Sequence, residues 1–436
     1  MIMSEQVKKT TTTQGNDNAT QRVPQEERKG VLNVALVAAG FCICMSGLFT
    51  GASMAMGLDL KSALLASVIG NIILSIYGGL IGMAGAREGV ATPMLARHSF
   101  GFNGSKIVSL VLALSMGGWF AYQCGFFGET IAVMFPNAGF ITNPTVAALW
   151  GGILMLLTAY FGYKGLAILS YVMVPLITIV AIWGMSVSVN TAGGWGAVAA
   201  LQSSAPMTLG AGIVLAVGSF AGGASAQADI TRYAKDSKTA WIGTIFGYVI
   251  ANVFVIMAGF VTSKVTGEGN LPAAMLSLGL GFPALIVLIG AQWTTNDNNL
   301  YTSALGICNV FPKVTKKKIT LAVGILGSII GSLGVANYFT TWLNILGLFV
   351  PPMAGILLSD YFFVKGMHYD YGKGTKYCSW NILAIVAWVA GALVAKYITW
   401  GVGSLNGLIV ACIVYVVLMK TVGKSDKGQI GVVIEE

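Results

Sequence analysis

Twelve apolar stretches, each closed by a charge, a proline or a polar cluster, constrain this chain more than any other feature. A helix crosses the roughly 30 Å hydrocarbon layer in about 20 residues. Cutting the chain on that rule predicts spans at 31–57, 60–85, 105–135, 145–162, 166–189, 207–233, 239–264, 282–310, 319–335, 338–363, 379–396 and 400–420. Composition agrees, because 9% charged residues against 56% hydrophobic ones cannot clothe a water-facing surface, which needs about 25% charge. An all-α integral membrane protein is therefore expected, and secreted, disordered and nucleic-acid-binding classes fall away.

Basic residues accumulate on the cytoplasmic side of an inserted chain. With both termini placed there, only Lys61, Lys264 and Lys396 of the 25 Lys and Arg fall outside. The net charge of +9 is thus a topology signal, and neither a nucleic acid nor an obligatory protein partner is expected. Residues 1–29 are polar and Thr/Asn/Gln-rich, with Lys8 and Lys9 near the start and Arg28 and Lys29 against the first apolar run. They are expected to be a disordered cytoplasmic tail rather than a cleaved signal. Residues 422–436 form a second expected tail. Cys42, Cys44, Cys124, Cys308 and Cys412 sit in apolar runs without a C-x-x-C pair, which predicts small buried hydrophobes and no disulfide.

Irregular backbone is tolerated within a bilayer only where it is buried or lines a cavity. The first span carries Gly40, Ser46-Gly47 and Thr50-Gly51-Ala52-Ser53, and the sixth carries the run Gly218 to Ser225. These weak points lie five helices apart. Two inverted repeats of five helices, with helices eleven and twelve appended and a site at the midplane, would place breaks in helices one and six. Close packing of small residues explains each cluster alone; their correspondence favours broken helices.

Polar groups inside the bilayer are costly and mark candidate sites. In span eight, Gln292-Trp293-Thr294-Thr295-Asn296-Asp297-Asn298-Asn299 interrupts an apolar helix. Ala291, Thr294 and Thr295 share one face at i, i+3 and i+4, so a carbonyl and two hydroxyls can offer oxygens to a hard monovalent cation, for which sodium is the natural candidate. No cluster of His, Cys or carboxylate suits a transition metal. In span three, Trp119 and Gln123 lie four apart, an indole beside an amide, as a flat heteroaromatic ring requires. Phe220, in the break of span six, can supply the opposite face. Glu129 is a lone carboxylate further along span three. With no H-E-x-x-H, G-x-S-x-G or phosphate loop, the sequence predicts neither an ATP-driven pump nor an enzyme, and no cofactor beyond a coupling ion.

Several runs together resemble a family. Arg28-Lys29-Gly30, Leu95-Ala96-Arg97-His98-Ser99-Phe100-Gly101, Gly118-Trp119-Phe120, Gly218-Ser219-Phe220, Ala228-Asp229, Trp293-Thr294-Thr295-Asn296-Asp297-Asn298 and Pro351-Pro352 resemble the bacterial cytosine permeases of the nucleobase–cation symporter family, over about residues 25–420. The resemblance implies a transporter domain over 30–421, with repeats at about 30–190 and 205–365 and extra helices at about 379–420. It also implies sodium-coupled uptake of a nucleobase across the bacterial inner membrane. Carried onto this chain, the sodium site takes carbonyls of Gly40, Ile43 and Ala291 and hydroxyls of Thr294 and Thr295. The base lies between Trp119 and Phe220, with Ser219, Gly222 and Asn296 as hydrogen-bonding positions. Two positions depart from the cytosine permease pattern. Ala291 stands where those proteins carry a substrate-binding asparagine, and Gln123 stands where they carry a small or apolar residue and hydantoin transporters a glutamine. The base is accordingly cytosine or a related purine, pyrimidine or hydantoin-like ring.

Alternating access follows as the expected mechanism, with sodium ordering the broken first helix and the stretch from Asn337 to Gly347 closing over the base. A proton-coupled permease titrating Glu129 or Asp297 is the main rival. An intramembrane enzyme acting on such a base is the remoter one.

Overall fold

The computed structural model describes residues 22–434 except Ala138, Gly162, Ser204, Pro312 and Asp426. The expected tail over 1–21, with Lys8 and Lys9, lies outside the described residues, as do the side chains of 161–171, Lys164 among them.

Each of the twelve expected spans is a helix or a pair of helices. Six are long and apolar enough to cross a membrane: Leu60–Glu88, Ser105–Met134, Val172–Ala192, Ser237–Thr266, Val335–Val364 and Gly403–Thr421. The first span is a bent pair, Val31–Cys42 and Met45–Ala55, which together pass the same test. The fourth, sixth and eleventh are shorter apolar helices, Pro144–Phe161, Leu209–Ser225 and Ile382–Tyr397. The eighth, Gly281–Val310, is long but diluted by its polar run, and the ninth, Lys316–Ser332, opens on three lysines. The chain is a multi-pass membrane protein.

Helix ends follow local chemistry. The carboxylate of Asp59 accepts from Ser62 N at 2.8 Å and so caps the second span, and Asp236 does the same for the seventh through Thr239 N at 2.7 Å. Gly89, at φ 69°, ends the second span in the left-handed conformation that glycine adopts without strain. The seventh and tenth spans each contain a π-helical stretch, at Phe246–Asn252 and Asp360–Val364.

The packing repeats with an exchange of five. Span one packs on span seven and span six on span two, while three packs on eight and four on nine. Each contact maps onto another, or onto itself, when the halves are swapped, as inverted repeats require. Spans one, two, six and seven form one body and spans three, four, eight and nine the other. Small residues allow the close approach: a Cβ on Gly70 would lie 2.5 Å from Ala216 Cβ, and one on Gly85 2.6 Å from Ala228 Cα.

Two expectations about the ends are corrected. Residues 22–29 are not a free tail. Val23 N donates to Gly89 O at 2.7 Å, Arg28 Nη1 donates to Ala86 O at 2.7 Å, and Lys29 forms a bridge with Ala234, fastening the segment to the C-terminal ends of spans two and six. The C-terminal end, in an otherwise all-α body, also carries a short strand pair. Strand β1 (Lys376–Asn381) pairs antiparallel with β2 (Gln429–Ile434), so span eleven begins at Ile382 rather than 379 and part of the C-terminal tail is a strand. β1 carries Phe102 N and Asn103 N on Cys378 O and Ser379 O, which satisfies main-chain groups that a loop would leave to water.

Candidate functional site

Span one breaks between its two helices with a bend of 51°. Ile43 N still donates to Ala39 O at 2.7 Å, but Cys44 N turns to Cys42 O at 3.0 Å and Gly47 N to Cys44 O at 3.2 Å. Cys44 is extended, at φ −144° and ψ 166°. The carbonyls of Gly40 and Ile43 consequently receive no main-chain donor among the described residues. Span six kinks at Phe220, whose φ of −132° and ψ of 15° are not helical. Both breaks foreseen from glycine content are thus present.

A small, partly open cavity of about 60 Å³ lies between the two breaks and the third and eighth spans. Gly40, Ile43, Trp119, Ser219, Phe220, Thr294 and Thr295 all line it, so seven of the residues singled out from sequence meet around one space. Thr294 Oγ1 and Thr295 Oγ1 donate to Ala291 O at 3.0 and 2.9 Å. Their own lone pairs remain for an electrophile, whereas the Ala291 carbonyl is already shared between two hydroxyls. Ser219 Oγ donates to Ala216 O at 2.7 Å and is satisfied within its own helix. Gly222, expected beside the base, does not line the cavity; a Cβ there would come within 2.8 Å of Ser115 Oγ and 3.0 Å of Met116 Cε.

Two further expected base-contacting residues, Asn296 and Gln123, also stand apart from the cavity lining. Asn296 faces spans three and four: its Nδ2 donates to Phe120 O at 3.2 Å, and its buried Oδ1 has no partner. Gln123 is fully buried, and neither atom of its amide has a partner. An unpaired buried amide group costs about 1 to 3 kcal/mol, so Gln123 is held at a price that a ligand or a rearrangement would recover.

Asn298 and Asn299, which the sequence reading placed in the polar run of span eight without a role in the site, also line the cavity. The signal was present. Positions 298 and 299 are i+7 and i+8 from Ala291 and extend the face of Thr294 and Thr295 by one more turn, whereas Asn296 lies a third of a turn away. Asn298 Nδ2 donates to Thr294 O at 3.1 Å. Cys44 and Ser46, joined by a 2.9 Å sulfur–oxygen hydrogen bond, were likewise missed.

Rings close the cavity at the end where spans one and three finish and span ten begins. Phe339, at the start of span ten, lies 5.8 Å from Trp119, 5.1 Å from Phe126 and 6.3 Å from Phe49, each edge to face. Phe49 and Phe126 stack at 3.8 Å, and Tyr122 stacks on Trp342 at 5.6 Å. This is the stretch expected to close over a bound base.

Comparison with known proteins accords with this geometry. The chain is 31% identical over 405 residues to the cytosine permease of Escherichia coli, covering 93% of this chain and 94% of that one. Its fold is similar to that of Mhp1 in an inward-facing conformation (TM-score 0.82, 22% identity, 93% of each chain covered). It is also similar to a closed form of Mhp1, a nucleobase-cation-symport-1 family transporter, with bromovinylhydantoin bound (TM-score 0.79, 20% identity, 94% of this chain and 96% of that one). The family described as permease for cytosine/purines, uracil, thiamine, allantoin matches residues 22–421, and this chain belongs to that family of nucleobase permeases, secondary transporters rather than enzymes.

Proposed function

We propose that this chain is a sodium-coupled importer of a nucleobase, working by alternating access across a bacterial inner membrane with both termini cytoplasmic. The observation that carries the reading is the pair of unpaired carbonyls at Gly40 and Ile43 facing the same cavity as the Thr294 and Thr295 hydroxyls. Uncharged oxygens at the end of a half-helix suit a singly charged hard ion that must also leave. Sodium bound there would join the broken first span of one body to span eight of the other. Ala291 would contribute its carbonyl once the threonine hydroxyls turn from it.

The base would lie between Trp119 and Phe220, beside Ser219 and Gly222. Coupling then follows from shared elements, since an ion that orders the first span also shapes the wall of the base pocket. The two repeats, about 30–190 and 205–365, would exchange conformations, with the helices at about 379–420 as an appended pair. Gln123 bears on the choice of base. Its amide offers both a donor and an acceptor to a ring edge, and sites that bury such groups reject rings that cannot pair with them. Asn296 would need to turn from span three to take part. Cytosine and hydantoin-like rings are the first candidates, because relatives named for cytosine and a fold relative with a bound hydantoin bracket the chain.

Uptake of radiolabelled cytosine, uracil, hypoxanthine and a 5-substituted hydantoin into proteoliposomes tests this directly. An inward sodium gradient should drive accumulation of at least one of them, and replacement by choline should abolish it. Equal uptake in choline would refute sodium coupling. A proton-coupled permease remains the second reading, favoured by Asp297. That carboxylate is buried, and its Oδ1 accepts from Thr158 Oγ1 at 2.9 Å. Accumulation driven by a pH gradient without sodium would select it.

A further inference from the structure

Span nine shows two characters along one face. Leu321, Ile325, Leu326, Ile329, Ile330 and Leu333 are each between 39% and 77% exposed. They recur at four-residue intervals and form the stripe that a helix turns toward acyl chains. Continued by one turn toward its N-terminus, the stripe ends in Lys317 and Lys318, both exposed, with exposed Lys313 in the preceding connection. The apolar stripe therefore meets a cluster of cations at the depth of the headgroups, on the face of the protein where span one begins.

Lys313, Lys317 and Lys318 sit in a stretch of sequence poor in acid. No Asp or Glu occurs between Glu129 and Asp229, which covers spans four and five, or between Asp297, in the middle of span eight, and Asp360, at the end of span ten. Neighbouring aromatic rings add affinity for cations rather than anions. Lys316 Nζ lies 3.4 Å from the centre of the Tyr301 ring and Lys317 Nζ 5.5 Å from that of Tyr160, so these tyrosines from spans eight and four hold the ammonium groups at the corner. Three cations in the first turn of a helix also oppose its dipole. This differs from the other basic corner of the same face, where Lys238 interacts with Asp236. Ordinary topology signalling requires only that lysines be on this side; it does not require them to be gathered at one corner beside tyrosine rings and an exposed apolar stripe.

We propose that the corner formed by spans four, eight and nine binds the headgroup of an anionic phospholipid, with Lys313, Lys317 and Lys318 around the phosphate and the exposed stripe of span nine against its acyl chains. The chemistry is that of a membrane-embedded phosphodiester carrying net negative charge. The apolar stripe continuous with the lysines commits the site to a lipid rather than to a free anion. Each lysine near an anionic membrane surface contributes roughly a factor of five in binding, so removing three should weaken retention about a hundredfold.

The test uses the purified full chain in a neutral detergent, titrated with phosphatidylglycerol or phosphatidylcholine and read by native mass spectrometry and thermal unfolding. Phosphatidylglycerol should remain bound and raise the unfolding temperature where phosphatidylcholine does not. The triple variant Lys313→Gln, Lys317→Gln, Lys318→Gln should lose that preference, while the double variant Lys235→Gln, Lys238→Gln should keep it. An unchanged circular dichroism spectrum and elution volume would establish that the triple variant is folded. If the triple variant fails that check, the single variant Lys318→Glu reads the same preference. Equal retention of the two lipids by the unmodified chain, an unaltered preference in the lysine variants, or the same stabilisation by inorganic phosphate alone would overturn the proposal.

Discussion

The two ends of the molecule are closed by different chemistry. Where span ten begins, closure rests on rings: Phe339 bridges Trp119, Phe126 and Phe49, and Tyr122 Oη adds a hydrogen bond across to Tyr338 O at 3.1 Å. Where span ten ends, directional bonds to buried carboxylates hold the chain. Asp360 accepts from Tyr369 Oη at 2.6 Å and from Tyr415 Oη at 2.7 Å, joining spans ten and twelve and the connection after span ten. Glu88 accepts from Tyr361 Oη at 3.0 Å and pairs with Arg22 at 3.4 Å, adding span two and the N-terminal segment. Ring contacts are short-ranged, weakly directional and cheap to remake, whereas a broken bond to a buried carboxylate leaves an orphaned polar group. The ring contacts can thus be remade at little cost, and the carboxylate bonds tie spans two, ten and twelve together.

Substitutions break or sharpen that contrast. The largest effect is expected for Asp360→Ala, which strands two buried hydroxyls and should cost roughly 3 to 5 kcal/mol of stability, measured by thermal unfolding in detergent. Asp360→Asn keeps one acceptor and should recover about half. Next comes pH. Burial, with Lys365 nearby, pushes His98 down to about 4 in the folded protein, against about 6.5 when unfolded. The unfolded chain therefore takes up the proton first, so stability is full above about pH 6.5 and falls as pH drops toward 4. His98→Phe should flatten that slope; an unchanged slope would remove His98 from the account. Phe339→Ala should cost roughly 3 kcal/mol, yet it should speed dissociation of labelled base about tenfold, an effect that Asp360 substitutions should not produce. Smallest is Tyr122→Phe, expected to cost about 1 kcal/mol. A larger penalty at Tyr122 than at Asp360 would invert the comparison.

Much of this was legible in the sequence, for physical reasons that can be named. Spans are legible because hydrocarbon thickness sets their length and charges end them, and the breaks because Gly40 and the Gly218 to Ser225 run weaken two helices five apart. The oxygen face of span eight is legible because helical periodicity is fixed. The same periodicity reaches Asn298 and Asn299, which a reading stopped at Thr295 leaves out. Asn296, carried over by resemblance, points in this structure toward Phe120 and Cys124, because side-chain direction depends on the partner helix as well as on the helix that bears it. The β1–β2 pair was illegible. Its strands are six residues each and separated by two spans, and the exposed Ile430, Val432 and Ile434 of β2 give no buried face to read. The π stretches at 246–252 and 360–364 carry no local signature either.

The central claim is that an alkali ion held by the first and eighth spans completes the pocket for a flat ring, and equilibrium binding measures it most directly. Affinity of the purified protein for its preferred base should rise at least about tenfold from zero to 100 mM sodium, a coupling of roughly 1.4 kcal/mol. Thr294→Ala and Thr295→Ala should erase that rise while leaving weak binding in place, and Trp119→Ala should remove binding at every sodium concentration. Base affinity that is independent of sodium in the unmodified protein, or a full sodium response in both threonine variants, would contradict the account.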